Sequence, residues 1–160
     1  MKKSVKRVVP MLALGAVVLF GANMAVTQAQ DMSTGIPEAD HRIKQMKTLG
    51  MNMKAIAGVA KGEAEYSPEL NANAEGIRAV AMEMDTLFPE GSGGEKTRSK
   101  PEIWQNTAEF SKAIKDFQTE ADKLVAAVAT GDRGQIGAAL GATGKTCGGC
   151  HKPFRKPNES

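Results

Sequence analysis

Apolar residues in this chain recur at three- and four-residue steps in four separate blocks, and no block alternates with period two. That pattern calls for helices and leaves nothing to build a sheet, so the expected fold class is all-α. The first helix is expected from about Glu38 to Ala60, with Ile43, Met46, Leu49, Gly50, Met53, Ile56 and Ala57 on one stripe. Pro37 suits its start, where a missing N–H costs nothing. The second opens at Ser67-Pro68, carries Leu70, Ala74, Ile77, Val80, Ala81, Met84 and Leu87, and ends near Phe88-Pro89. The third restarts at Pro101, holds Ile103, Trp104, Phe110, Ile114, Phe117, Ala121, Leu124, Val125 and Val128, and is closed by Gly131. Asp132 then caps a fourth, which carries Ile136, Ala139, Leu140, Thr143, Cys147, Cys150, His151 and Phe154. From Pro89 to Lys100 the chain has turn formers and charges but no apolar residue, which makes it the one long loop. Helices of about 20 residues joined by mostly short links favour an antiparallel up-and-down four-helix bundle.

The amino terminus belongs to a different kind of segment. Lys2, Lys3, Lys6 and Arg7 precede an apolar run, Met11 to Phe20, that is too short to span a bilayer. This reads as a secretory signal, residues 1–29, cleaved between Ala29 and Gln30; an uncleaved anchor is the alternative. Residues 1–29 hold four basic side chains and no acidic one, so the formal charge of +3 becomes −1 for residues 30–160. Lys and Arg are dispersed among Asp and Glu there, and no nucleic-acid-binding face is expected. Residues 30–160 suffice for one domain, and export implies the periplasm.

Two cysteines in an exported chain invite a disulfide, but their spacing points elsewhere. Cys147-Gly148-Gly149-Cys150 runs directly into His151, and C-x-x-C-H is the attachment signature of haem c. Two thioethers about one helical turn apart match the two vinyl groups on one edge of a porphyrin, and His151 reaches the iron from the same helix as proximal ligand. A redox-active CxxC is expected beside a βαβ pattern, which is missing, and zinc needs four ligands where only two Cys and one nearby His exist. The glycines of the fourth helix, Gly137, Gly141, Gly144, Gly148 and Gly149, each weaken it by roughly 1 kcal/mol relative to Ala. A tethered macrocycle would supply the missing hold, and small residues would let the helix approach it closely. Arg155, four residues after His151, is expected on the same helical face, either beside the haem or as a solvated cation that complements the helix dipole.

With its haem motif at the far end, Cys147-Gly-Gly-Cys-His-Lys-Pro-Phe-Arg155, and its four-helix pattern, the chain resembles the class II cytochromes c, cytochrome c′ and its low-spin relative cytochrome c-556. The likeness extends to Arg42-Ile-Lys-Gln-Met-Lys-Thr-Leu-Gly50, Ala60-Lys-Gly-Glu63, Leu87-Phe-Pro-Glu90 and Lys100-Pro-Glu-Ile-Trp104. The resemblance implies a haem inside the bundle with the first helix over its distal face. It places Met46 opposite the iron, where several five-coordinate members carry Leu or Tyr, and Arg42 near a haem propionate, which a guanidinium can hold by two parallel bonds. Ile43 departs from the Gln often found there. A bound Met46 thioether would make a low-spin centre suited to electron transfer; a methionine at helical spacing is otherwise core filler. His41 points about 140° around the helix from Met46, away from any iron site.

Two functions remain, separated by one bond. The first is a one-electron carrier with redox partner proteins; the second is a five-coordinate protein that binds or buffers nitric oxide or carbon monoxide. A helical metal or peptide binder with an accidental CGGCH is the third possibility. No catalytic constellation accompanies the motif, so an enzyme is not expected. A homodimer through the first two helices is implied by the resemblance alone.

Overall fold

The computed structural model describes residues 33–157, so the expected signal segment, residues 1–29, lies outside the described residues. Four long helices and one short one follow in chain order: α1 Pro37–Ala60, α2 Leu70–Glu83, α3 Glu102–Gln105, α4 Thr107–Ala129 and α5 Arg133–Phe154. The long helices close a ring in which α1 packs on α2, α2 on α4, α4 on α5 and α5 on α1. Side-chain pairs give the directions. On α1 and α2, Gln45 bonds Glu83 and Asn73 bonds Asn52. On α2 and α4, Arg78 meets Asp122, and Gln118 meets Ala81. Sequence numbers rise on one helix as they fall on its neighbour, so these pairs are antiparallel, and the three-residue link from α4 to α5 makes those antiparallel too. The expected four-helix bundle is what the chain forms.

Local signals set the ends. Gly62 leaves α1 at φ +75°, and Glu63 N–H returns to Gly58 O at 2.8 Å, the closure an L side chain would resist. Gly131 ends α4 at φ +70°, where an added Cβ would meet the Tyr66 ring at 3.0 Å. Asp132 Oδ1 then accepts from Gln135 N–H at 2.7 Å and caps α5 as expected. Ahead of α1, Asp40 accepts from Thr34 N–H (2.7 Å), the Thr34 hydroxyl (2.8 Å) and the Ser33 hydroxyl (2.7 Å), folding the entering strand of chain back onto the helix.

Three expectations change. Ser67-Pro68 opens a turn rather than the helix itself: Leu70 N–H bonds Ser67 O and α2 starts at Leu70. Its last turn tightens into 3₁₀ geometry over Met84–Thr86. The third predicted helix is broken at Asn106 (φ −111°, ψ 53°) into α3 and α4. Asparagine tolerates non-helical backbone well, and the break lets Ile103 bury while the Trp104 indole N–H reaches the carbonyls of Phe88 and Pro89 at 3.1 and 3.2 Å.

Packing is uneven along the bundle. Ile56, Ile77, Leu124, Val128 and Ile136 are all fully buried around the α1–α2 and α4–α5 links, and fully buried Ala74 and Ala121 allow the close approach that fills this end densely. At the opposite end the first half of α1 does not close onto its neighbours. Ile43, Met46, Leu49 and Met53, drawn by periodicity as core, are only half-buried and front a cavity instead.

Candidate haem-binding site

That cavity has a volume of about 640 Å³ and is walled by α1, the end of α2, the 96–99 segment, α4 and the last turns of α5. Its size falls in the range of roughly 300–1,000 Å³ typical of ligand sites. Cys147, Cys150, His151 and Phe154 share one face of α5 and all line it, as their steps of three, one and three dictate. Both thiols are free and half-buried. Burial pushes both upward, Cys150 to about 11 with the neighbouring Cys147 adding to the effect. A redox dithiol works the other way, with a thiolate drawn down by cations or a helix N-terminus. His151 is pushed down, by burial first and then by the charges of Arg155 and Arg98. Its ring is therefore neutral at neutral pH, the state that offers a lone pair to a metal. Among the described residues no group of three or more His, Cys, Asp or Glu converges, which leaves zinc without a ligand set.

Across the cavity stand Ile43, Met46, Gly50 and Met53 of α1. A Cβ added at Gly50 would meet nothing within 4 Å, so this position leaves room beside Met46. Arg42 also lines the cavity, and part of its fork reaches the loop: Nη1 donates to Leu87 O (3.0 Å) and Ser92 Oγ (3.1 Å), and Nη2 to Ser92 O (2.9 Å). Its guanidinium carbon lies 4.6 Å from the Phe88 ring centre. Three of its five N–H groups thus go to the loop after α2, and the edge formed by Nε and the second Nη2 hydrogen is not used in these bonds. His41 pairs with Glu83 on the outside, away from the cavity. The glycines of α5 also depart from expectation. None of Gly137, Gly141, Gly144, Gly148 and Gly149 lines the cavity, because the positions facing it fall on a neighbouring arc of the helix.

The loop contributes what periodicity could not reveal. Ser92 and Thr97, polar residues in a segment without apolar side chains, are buried. The chain there is stitched to the carboxy-terminal tail: Ser99 pairs with Arg155, Lys100 N–H bonds Phe154 O (3.0 Å) and Lys156 N–H bonds Arg98 O (2.8 Å). Lys96, Thr97, Arg98 and Ser99 consequently form part of the wall. Arg155 lies there too, but not by helical register, since α5 ends at Phe154 and Arg155 is its extended C-cap. Among the described residues the lining carries five Lys and Arg side chains, Arg42, Lys47, Lys96, Arg98 and Arg155, and not one carboxylate.

The sequence model described as Cytochrome C′ matches residues 38–155. The chain belongs to the cytochrome c′ family. It is 37% identical to cytochrome c′ of Pararhodospirillum photometricum over 123 residues, covering 75% of this chain and 98% of the relative. It is 32% identical to cytochrome c-556 of Rhodopseudomonas palustris over 150 residues, covering 90% and 94%. A cytochrome c′ variant from Alcaligenes xylosoxidans, solved in the ferrous state with bound NO, superposes with a TM-score of 0.70 at 28% identity over 76% of this chain and 94% of that one.

The cofactor of a cytochrome c′ is covalently bound haem c, and the cavity suits it. An apolar slot carries two thiols and a neutral imidazole on one wall, and its charged rim is wholly cationic, as a flat apolar group with acidic propionates requires. The residues that reasoning from the sequence did not place at the site are Lys96, Arg98 and Phe117, all on this wall. Lys96 and Arg98 sit in a loop whose composition signals only a turn, and no local pattern would have brought them here.

Proposed function

We propose that Cys147 and Cys150 are the thioether attachment points, that His151 is the proximal ligand, and that the distal side takes a small gas such as nitric oxide or carbon monoxide. The observation that carries this reading is the composition of the α1 wall: Ile43, Met46, Gly50 and Met53 offer an apolar surface with open space at Gly50. When bound, the haem supplies an iron that takes a diatomic ligand or exchanges one electron. The protein's part is to hold a neutral His151 on one side and to keep water and hydrogen-bond donors away from the other, where Phe117 and Ile114 extend the apolar lining. A relative from Alcaligenes has been solved with bound NO, which supports gas binding as the use of the site.

The second reading keeps a one-electron carrier, with the Met46 sulfur as sixth ligand and a redox protein as partner. It is favoured by the place of Met46 on the cavity wall, by its flexible unbranched side chain and by the likeness to a cytochrome c-556. In either case the protein works in the periplasm after loss of residues 1–29, as a binding or carrier protein and not as an enzyme. Among the described residues no helix is long and apolar enough to cross a membrane. Pairing into a homodimer through α1 and α2 belongs to the same reading, and the exposed Met51 (65%) and Met82 (45%) lie on those helices.

The visible spectrum of the reduced protein with and without carbon monoxide separates the two. Gas binding at an open site gives a high-spin spectrum that carbon monoxide shifts at once, and Met46→Leu leaves it unaltered. A low-spin wild type that turns high-spin and gas-accessible only in Met46→Leu moves the assignment to the electron carrier.

A further inference from the structure

Charge in this protein is segregated far more than its near-neutral total suggests. Residues 96–100 and 133–157 hold eight Lys and Arg and no Asp or Glu, whereas the rest of residues 30–160 hold nine basic and 18 acidic side chains. In sequence the two basic segments are remote; in the fold the Ser99–Arg155 pairing and the bonds from Lys100 and Lys156 bring residues 96–100 against the last turn and tail of α5 at the open end of the cavity, while Arg133 at the start of α5 pairs with Glu65. Of the described residues lining that cavity, the exposed ones are Lys47, Lys96, Arg98, Arg155 and Gly50, so among these every exposed side chain at its rim is a cation. Lys100 and Lys152 extend the same surface, where Lys100 Nζ lies 3.5 Å from Lys152 O. Among the described residues the ion pairs all form elsewhere, and none involves these six cations. The pair of propionates on a haem leaves most of this charge uncompensated.

We propose that this cationic rim is the docking surface for a partner protein that presents a cluster of carboxylates. Charge of one sign around a low-dielectric opening focuses its field outward and raises encounter rates with the opposite sign by roughly 10- to 1,000-fold. The surface lies at the opening of the cavity that would hold the haem, so a docked acidic redox protein would stand beside the cofactor, which when bound would supply the site that accepts one electron from the reduced partner. The inference rests on the haem occupying this cavity and is independent of whether Met46 is a ligand.

The test uses the holoprotein and a fluorescently labelled oligoglutamate peptide as probe. Anisotropy is expected to show binding at low ionic strength that disappears near physiological salt, where the screening length falls to about 8 Å. Lys100→Glu with Lys152→Glu should weaken it by roughly tenfold. Lys54→Glu with Lys61→Glu, an equal change of net charge on exposed residues of α1 and its C-cap, should not. A second readout is the rate of haem reduction by ascorbate, an anion. The formal charge of −1 on residues 30–160 predicts a rate that rises with salt, whereas the cationic rim predicts one that falls. Absent peptide binding, equal weakening by both double variants, or a rate that rises with salt overturns the proposal. So does binding to phosphatidylglycerol vesicles at physiological salt with the same dependence on Lys100 and Lys152, which would assign the face to a membrane. Each of these results is separate from the carbon monoxide spectrum.

Discussion

Arg42 offers the sharpest separation between a structural role and a role at the cofactor. It is 5% exposed and donates three hydrogen bonds to the segment after α2, two from Nη1 and one from Nη2, while its flat face covers Phe88. Arg42→Ala leaves the carbonyls of Leu87 and Ser92 without these donors, and a buried polar group left unsatisfied costs about 1–3 kcal/mol. Loss of the guanidinium–aromatic contact adds about 0.5–2 kcal/mol. Water entering from the cavity side offsets part of this, so the net loss is expected near 3 kcal/mol, or a fall in Tm of roughly 10 °C for a domain of this size. Urea unfolding of the holoprotein should show a lower midpoint at unchanged slope. Hydrogen exchange should show amides between residues 87 and 99 losing protection while those around Leu124 keep theirs. Arg42→Lys should recover little, because one ammonium cannot span Leu87 and Ser92 as the fork does. A stability change below about 0.5 kcal/mol, with loop protection intact, would refute the structural role.

Three further outcomes follow from the same geometry. Replacing Cys147 and Cys150 with Ala should leave haem that extracts freely under denaturing conditions, whereas wild-type haem should stay with the chain; loss of wild-type haem on extraction would remove the attachment assignment. The apoprotein should lose much of its helical circular dichroism, because the half-buried stripe of α1 and the glycine-rich α5 face an unfilled cavity; an equally cooperative and equally hot melt would contradict this. Asp40 is held below the ordinary carboxylate value by Thr34 N–H and by the Ser33 and Thr34 hydroxyls. Its contribution is present above about pH 3.9, the unfolded value, and is lost as pH falls through the lower folded one. Asp40→Asn should flatten that limb of the stability profile below about pH 4, and an unchanged acid limb would count against the clasp.

How the site could be read in advance depends on the range of each signal. C-x-x-C-H acts within five residues of one helix, so its placement on a single face of α5 was legible before any fold was known. The same holds for Asp132 as cap, for Gly131 as terminator and for the stripe Ile43, Met46, Gly50 and Met53 on α1. Such signals arise from the backbone's own period and from hydrogen bonds between near neighbours. They left open whether the stripe would meet core or cavity, and they continued the third helix through Asn106, where the contacts of Ile103 and Trp104 decided otherwise.

What the amino-acid sequence determined by itself was therefore the helices, their caps and the attachment motif. Tertiary structure alone decided where the long-range polar groups went. Arg42 finds Ser92 fifty residues away, Arg98 accepts the backbone of Lys156, and a loop without one apolar residue buries Thr97 and walls the cavity. A buried donor or acceptor must be satisfied, but many partners of equal chemistry exist along the chain. Which one it meets is set by the segments that bundle closure brings together, and no local pattern records that choice.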